Sequence, residues 1–423
     1  MSARFSTLRE WLQWQESLHP SVIELGLDRI RSVAVALFGA DFLARQPLTI
    51  TVGGTNGKGS CVTVLAALLH ATGRRVGSFT SPHLLRYNER IRIDTQEVSD
   101  AELCDAFAAI DAARGDTSLT YFEFNALAAF WLFHRHAVEV QVLEVGLGGR
   151  LDAANLVDAD IAVITNVAID HVEWLGSTRE AIGWEKAGIL RPGGKLVYGE
   201  ADMPASVQRA IDMLEVHCRR AGRDFSLHAD AQQLEWRGLS GHDAVNTLRC
   251  PRPDLPLPSV ACALQVLAWL GIWEESVFAR VLPGITLPGR WQRVSARDRE
   301  WLLDVAHNEA GAQFLAERLC HSGEAPVTAV FSAMADKDLV AIFSALAPVV
   351  RHWLLFPLAD NPRAATLAQL TAATAQAGIP TTALQPCQSV EEALAAAEPQ
   401  HGTVLVCGSF FTVAAVQSVL DPH

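Results

Sequence analysis

Leu48-Thr49-Ile50-Thr51-Val52-Gly53-Gly54-Thr55-Asn56-Gly57-Lys58-Gly59-Ser60 passes from a β-branched run into a glycine-rich turn, then into the Ala/Leu-rich stretch that ends at Ala71. The pattern predicts a strand over Leu48–Val52, a loop, and a helix from about Ser60 to Ala71 that Gly73 stops. Glycines let backbone approach phosphate oxygens closely, and successive N–H groups at a helix N-terminus favour negative charge. Lys58 would reach the terminal phosphates of a nucleotide, and Ser60 would offer a hydroxyl to Mg²⁺. The spacing departs from the common G-x-x-x-x-G-K-S/T. Val52 stands where the first glycine belongs, and Gly59 displaces the hydroxyl by one place. The stretch therefore reads as a modified phosphate loop, against the blander alternative of a glycine-rich turn with a solvated lysine.

Outward from the loop, short apolar runs alternate with helix-length segments. Val76–Phe79, Val138–Val145, Asp160–Val167 and Lys195–Tyr198 read as strands, and Ala181–Gly188 as a helix. Nearly continuous apolar runs are typical of parallel strands buried on both faces, so βαβ units around a mainly parallel sheet are expected. From Phe225 to Pro258 the pattern becomes irregular and reads as short strands and loops, followed by helices near Val260–Trp269 and Glu274–Val281. Leu287-Pro288-Gly289 marks the expected domain boundary. Beyond it come a hairpin around Asp298 and strands at Trp301–Val305, Val327–Phe331, Trp353–Phe356 and Val404–Cys407. The class is thus α/β, with domains over 1–287 and 288–423.

The 423 residues are half apolar and only 19% charged, enough material for substantial cores and too little charge for a disordered chain. A formal charge of −13 argues against a nucleic-acid partner, though a local cluster of cations and helix N-termini could still hold small anions. The eight cysteines are scattered with no C-x-x-C pair, the pattern of free thiols in a reducing compartment. Met1–Glu10 has no long apolar core, and no apolar stretch approaches the ~20 residues of a membrane span. A cytoplasmic monomer with no membrane partner is expected.

GGTNGKGS, together with SPHLLRYNERI at Ser81–Ile91, TYFEFNALAAF at Thr120–Phe130 and LEVGLGGRLDAAN at Leu143–Asn155, resembles the folylpolyglutamate synthase/dihydrofolate synthase branch of the Mur ligase superfamily. AIDHVEWLG, EKAGILRPG, LPGRWQ, DVAHN, ADKD and CGSFFTV follow in the family's order through Val413. The resemblance implies a Mur-ligase-like P-loop domain with a mainly parallel sheet and a smaller, Rossmann-like glutamate-ligase domain. It also implies an ATP-dependent ligase that joins L-glutamate to dihydropteroate and to reduced folates through an acyl phosphate. Two Mg²⁺ ions are expected with it.

Carried over residue by residue, Gly54, Thr55, Asn56, Gly57, Lys58, Gly59 and Ser60 hold the phosphates. Ser259, Arg290 and Asp304 are further nucleotide contacts, and Ser60, Ser81, Glu144, His171 and Lys186 lie on the metal side. Lys58, Lys186 and His307 are the catalytic candidates, His307 beside the incoming glutamate or γ-phosphate. The resemblance makes Lys186 a carbamylated lysine, the CO₂ adduct of a neutral amine; the alternative is a surface lysine on an amphipathic helix beside Glu185. For Glu144, at the end of an apolar strand, the alternative is a buried acid paired with a base such as Arg150. An isolated His171 would more often be structural, because Mg²⁺ prefers oxygen.

Leu25, Gly26, Leu27 and Asp28, Thr120, Tyr121, Phe122 and Glu123, and Leu151, Asp152 and Ala153 resemble the segments that surround dihydropteroate. Phe122 would stack on the flat ring and Glu123 would accept its N–H groups, while Leu25–Asp28 reads equally well as a helix C-terminus. The chain departs from the family pattern at Ser259, where an Asn is usual, at Ala154 in LDAAN, and at Glu309 in DVAHNE. An interdomain cleft that closes over the acyl phosphate is expected. The competing readings are another Mur-type amide ligase and a nucleotide-binding switch without catalysis.

Overall fold

The computed structural model describes residues 3–21, 23–359 and 361–420; Met1, Ser2, Val22, Asp360 and the last three residues lie outside it. The described chain falls into two compact units, one ending at Ile285 and the other beginning at Thr286.

The first unit is built on an eight-stranded sheet. Its strands are β1 (Leu48–Gly53), β2 (Val76–Phe79), β3 (Ile91–Ile93), β4 (Gln96–Glu97), β5 (Val140–Glu144), β6 (Ile161–Ile164), β7 (Lys195–Tyr198) and β8 (His217–Arg220). The order is β4-β3-β2-β5-β1-β6-β7-β8, and only β3 and β4 run antiparallel to their neighbours. Every residue of β5 and β6 is buried, as the unbroken apolar runs imply. The two antiparallel edge strands are too short to carry a period, and they turn on Asp94 and Thr95, both at positive φ.

After Ala221 the irregular stretch forms a separate antiparallel sheet of β9 (Phe225–Ala229), β10 (Gln233–Leu239) and β11 (Val245–Pro251). Leu234 and Trp236 turn inward on alternate positions of β10. Gly238 continues that face because the Trp236 ring and the Gln265 amide already fill the space a side chain would need. The following helix runs over Leu257–Trp269, three residues earlier than the hydrophobic pattern places it, with Pro258 in its first turn. It packs against the Lys58–Ala71 helix, which brings Ser259 to the phosphate loop.

The second unit has a six-stranded sheet ordered β12 (Gln292–Ala296), β13 (Arg299–Leu303), β17 (Val404–Cys407), β14 (Val327–Phe331), β15 (Val350–Leu355) and β16 (Leu384–Pro386). The expected hairpin is present, with Arg297 and Asp298 in left-handed conformation between β12 and β13. Trp353, Phe331 and Phe343 fill its core with edge-to-face and tilted contacts. Among the described residues all eight cysteines are free thiols, and no helix is long and apolar enough to cross a membrane.

Candidate active site

β1 lies between β5 and β6, so its C-terminal end opens at the middle of a parallel sheet, where ligands of α/β folds collect. The loop there is held from both sides. Thr55 N–H donates to the Asn166 carbonyl at 3.1 Å, and the Asn166 side chain clasps Asn56 by accepting its N–H and donating to its carbonyl, both at 2.9 Å. The Thr165 hydroxyl donates to the Asn56 carbonyl at 2.7 Å and occupies the place a Cβ on Gly54 would take, 1.9 Å away. Gly54 also sits at φ 142, so this glycine is required twice over. Gly57 adopts φ 80 and starts the Lys58–Ala71 helix, two residues before the expected Ser60. Lys58 folds back with its ammonium donating to the Gly54 and Thr55 carbonyls, each at 3.1 Å. Thr165 and Asn166 carry no motif of their own; their only sequence signal is that they follow an apolar strand.

Ser259 lies against the phosphate loop itself. It is buried, and its hydroxyl donates to the Gly57 carbonyl at 2.9 Å, directly over the turn that opens the helix. The shorter side chain braces the loop. Ser259→Ala should raise KM for ATP about fivefold, the loss of one hydrogen bond worth ~1 kcal/mol, with little change in the acceptor KM. Steady-state kinetics with each substrate varied in turn reads the difference.

Across from the loop, Glu144 ends β5 with its carboxylate 3.3 Å from where a Cβ on Gly59 would lie, and it accepts the Ser81 N–H at 3.0 Å. Ser81 and Glu144 therefore meet. Arg150, the alternative partner for Glu144, instead forms its ion pair with Glu185 at 2.9 Å. The Ser60 hydroxyl is fully buried and has no hydrogen-bond partner among the described residues. Such an orphan costs roughly 1–3 kcal/mol unless something fills it, and a hydroxyl beside a carboxylate at a phosphate loop fits a hard cation. No three His, Cys, Asp or Glu side chains converge as a metal cage among the described residues, so a cation here would depend on Ser60, Glu144 and oxygens that the substrate brings.

Lys186 is buried, which removes the surface-lysine alternative. Burial pushes its amine down to about 7, and the nearby charge of Lys58 adds to that, while Asp170 and Asp152 oppose it. Asp152 is itself pushed up to about 7 by burial, against the N–H groups of Leu147 and Ala154 that its carboxylate accepts. Lys58, Lys186, Asp152 and Asp170 therefore act on one another as a single electrostatic cluster. His171 is exposed at φ 51, just before the short Val172–Leu175 helix, and its N–H donates to the Asp170 carboxylate at 2.8 Å.

The three acceptor-side segments, far apart in sequence, also come together. Gly26 N–H donates to the Leu151 carbonyl, and Arg29 pairs with Glu123 at 3.2 Å. Leu27, Tyr121, Phe122 and Ala153 join one apolar cluster. Leu25–Asp28 does not end a helix: it leads into the helix Asp28–Phe38, which begins there. Asp28 is exposed.

Glu123 has partners of its own within the chain. One carboxylate oxygen takes the Thr120 N–H and hydroxyl at 2.8 and 2.9 Å, closing a capping box on the helix Tyr121–Arg135, and Arg29 holds the carboxylate as well. Thr120→Ala should destabilise this unit by about 1 kcal/mol, read as a lower urea midpoint. Phe122 is half-buried, 5.6 Å from Phe79, with its ring where a side chain on Gly146 would stand. Its ring is thus placed beyond the end of β5.

In the second unit, Asp304 accepts the Trp291 and Ala306 N–H groups, each at 3.0 Å. Burial raises its carboxyl above the usual range, and the Arg290 charge opposes the rise. The Arg290 guanidinium lies 4.8 Å from the Phe410 ring, and His307 sits 6.0 Å from the same ring. Arg290, Asp304 and His307 thus gather at one end of this sheet. Asn308 caps the helix Glu309–Ser322 through the Gly311 N–H, so the helix starts at Glu309 without the usual proline.

The Mur ligase middle domain model matches residues 52–249, and the Mur ligase glutamate ligase domain model matches residues 289–410. The dihydrofolate synthase/folylpolyglutamate synthase of Escherichia coli (strain K12) is 40% identical over 418 residues, covering 98% of this chain and 96% of that protein. This chain belongs to the dihydrofolate synthase/folylpolyglutamate synthase family of Mur ligases. Solved members of the family superpose over nearly the whole chain. The Escherichia coli FolC in complex with DHPP and ADP gives a TM-score of 0.91 at 38% identity, covering 100% of this chain and 99% of that one. The Yersinia pestis bifunctional enzyme complexed with AMPPNP and Mn ion gives 0.90 at 41%, covering 99% of each.

Proposed function

We infer that this chain is an ATP-dependent ligase that joins L-glutamate to dihydropteroate, forming dihydrofolate, and to reduced folates, forming folylpolyglutamates. The observation that carries the reading is the Gly54–Ser60 loop set against Glu144, with Lys58 at its centre and the Ser60 hydroxyl buried and unsatisfied.

A carboxylate is a poor acyl donor because its leaving group would be an oxide. Transfer of the γ-phosphoryl group to a carboxylate oxygen breaks the terminal P–O bond of ATP and releases ADP. The glutamate amine then attacks the acyl carbon, loses a proton, and expels inorganic phosphate. The loop N–H groups and Lys58 hold the phosphates and meet the charge that develops on the transferring group. A bound Mg²⁺ would neutralise phosphate charge as this happens. Ser60, Ser81 and Glu144 are its proposed holders, with His171 and Lys186 on the side of a second ion.

Lys186 is proposed to carry a carbamate. Its buried amine, near neutral-form balance at pH 7, can add CO₂ and lose a proton, exchanging a cation beside Lys58 for an anion with two oxygens. Phe122, with Leu25–Leu27 and Leu151–Ala153, is proposed to bound the pterin. Arg290, Asp304 and His307 are the proposed nucleotide and glutamate contacts of the second unit, and the enzyme is proposed to act as a cytoplasmic monomer.

The test is ADP release measured with dihydropteroate, with tetrahydrofolate and with no acceptor, each with and without glutamate. Release that needs both an acceptor and glutamate is expected for both folates. No ADP release under any of these conditions would leave only a nucleotide-binding switch, and release indifferent to glutamate would leave an ATPase that is not a glutamate ligase. Turnover of one acceptor alone would remove the bifunctional reading.

A further inference from the structure

Arg90 is only 7% exposed, yet among the described residues no carboxylate pairs with it. Its Nε donates to the His83 Nδ1 at 2.8 Å, which uses one donor of five and leaves the charge unbalanced. Its guanidinium carbon lies 5.7 Å from the Tyr87 ring and 5.6 Å from the Tyr121 ring. Glu89, the adjacent acid, is turned away: its carboxylate takes the N–H groups of Leu84, Leu85 and Arg86 at 2.7, 2.7 and 2.6 Å.

A guanidinium cannot shed its proton in a protein, so burial without an anion is costly and two aromatic faces offset only part of it. The platform beneath it is rigid, because the buried Tyr87 hydroxyl is tied to the Asn125 side chain. Its position is also specific. The Arg90 carbonyl accepts the Thr80 N–H at 2.8 Å, one residue before the Ser81 that bonds Glu144. The next residue, Ile91, pairs with Phe79, whose ring packs on Phe122. Arg90 thus stands between the phosphate-loop side of the site and the proposed pterin side.

We propose that Arg90 binds a carboxylate of the acceptor substrate. The planar fork of an arginine matches a carboxylate with two parallel hydrogen bonds, and the anion completes the missing half of a buried pair. The inference rests on the folate reading above. Two carboxylates offer this chemistry: the one that is phosphorylated, present in both acceptors, and the α-carboxylate that only a glutamate-bearing folate carries.

The experiment compares Arg90→Gln and Arg90→Lys with the unmodified enzyme, using dihydropteroate and tetrahydrofolate as acceptors. Turnover by the unmodified enzyme establishes the folate reading separately. Arg90→Gln should raise the acceptor KM at least tenfold, and Arg90→Lys less, with KM for ATP unchanged. A rise with both acceptors assigns Arg90 to the reacting carboxylate; a rise with tetrahydrofolate alone assigns it to the α-carboxylate. The inhibition constant of a pterin lacking any carboxylate should not move. Should Arg90→Gln fail to fold, Arg90→Lys carries the test, provided it melts like the unmodified enzyme. An unchanged KM for both acceptors, or a carboxylate-free pterin weakened to the same degree, overturns the proposal.

Discussion

Lys58→Ala is expected to lower glutamate-dependent ADP release by about a thousandfold, corresponding to ~4 kcal/mol of lost transition-state stabilisation. The ammonium already sits at the centre of the loop, bonded to the Gly54 and Thr55 carbonyls, and a nucleotide phosphate is a far stronger acceptor than either. Removing it leaves β1, the Asn166 clasp and the helix that follows in place, so the melting temperature should change little. Single-turnover measurement with saturating ATP separates lost chemistry from lost binding. Near-normal turnover in this variant would mean that the phosphates bind elsewhere.

Lys186→Ala should cost on the order of a hundredfold or more in the same assay, because it removes a buried group acting directly on Lys58, Asp152 and Asp170. If the group is a carbamate, acetate or formate should restore part of the activity by returning a carboxylate to the vacated space. The pH dependence has a definite sign. Protonation of the amine blocks CO₂ addition, so activity should fall as pH drops through about 7, and more steeply in buffer stripped of bicarbonate. A surface lysine, held near 10.4, would be neutral in only about one molecule in 2,500 at that pH. Indifference to bicarbonate together with a failure of acetate rescue would defeat the carbamate.

Most of the first sheet was legible because its strands are buried on both faces: Val76–Phe79 and Lys195–Tyr198 appear at the expected residues, and β5 and β6 lie inside the runs read as strands. The strands that escaped the pattern are the short edge pair β3 and β4, β8, whose residues are only partly buried, and β16. A strand of two or three residues shows no period, and an edge strand needs no continuous apolar run. The irregular stretch from Phe225 reads as short strands and loops, and its strands are there; their joining into one antiparallel sheet was not legible, because the inward face includes Gly238, which contributes no side chain to read.

What the sequence by itself determined is the identity of the chemistry: a glycine-rich turn between strand and helix, and motifs whose order along the chain names a family. These are local patterns, carried by backbone conformations that only certain residues tolerate and by side chains whose chemistry does not depend on the fold. What only the tertiary structure decided is what each side chain is free to do. Ser259 reaches the Gly57 carbonyl because two helices pack together, and Glu123 is taken by Thr120 and Arg29. Lys186 has an amine near neutrality because it is enclosed, and Arg90 is a buried cation with no acid paired to it among the described residues. Burial and pairing are properties of residues brought together from distant parts of the chain. The free energy of a charge depends on the water removed around it and on the partner brought to it, and neither is written in the residues on its own strand.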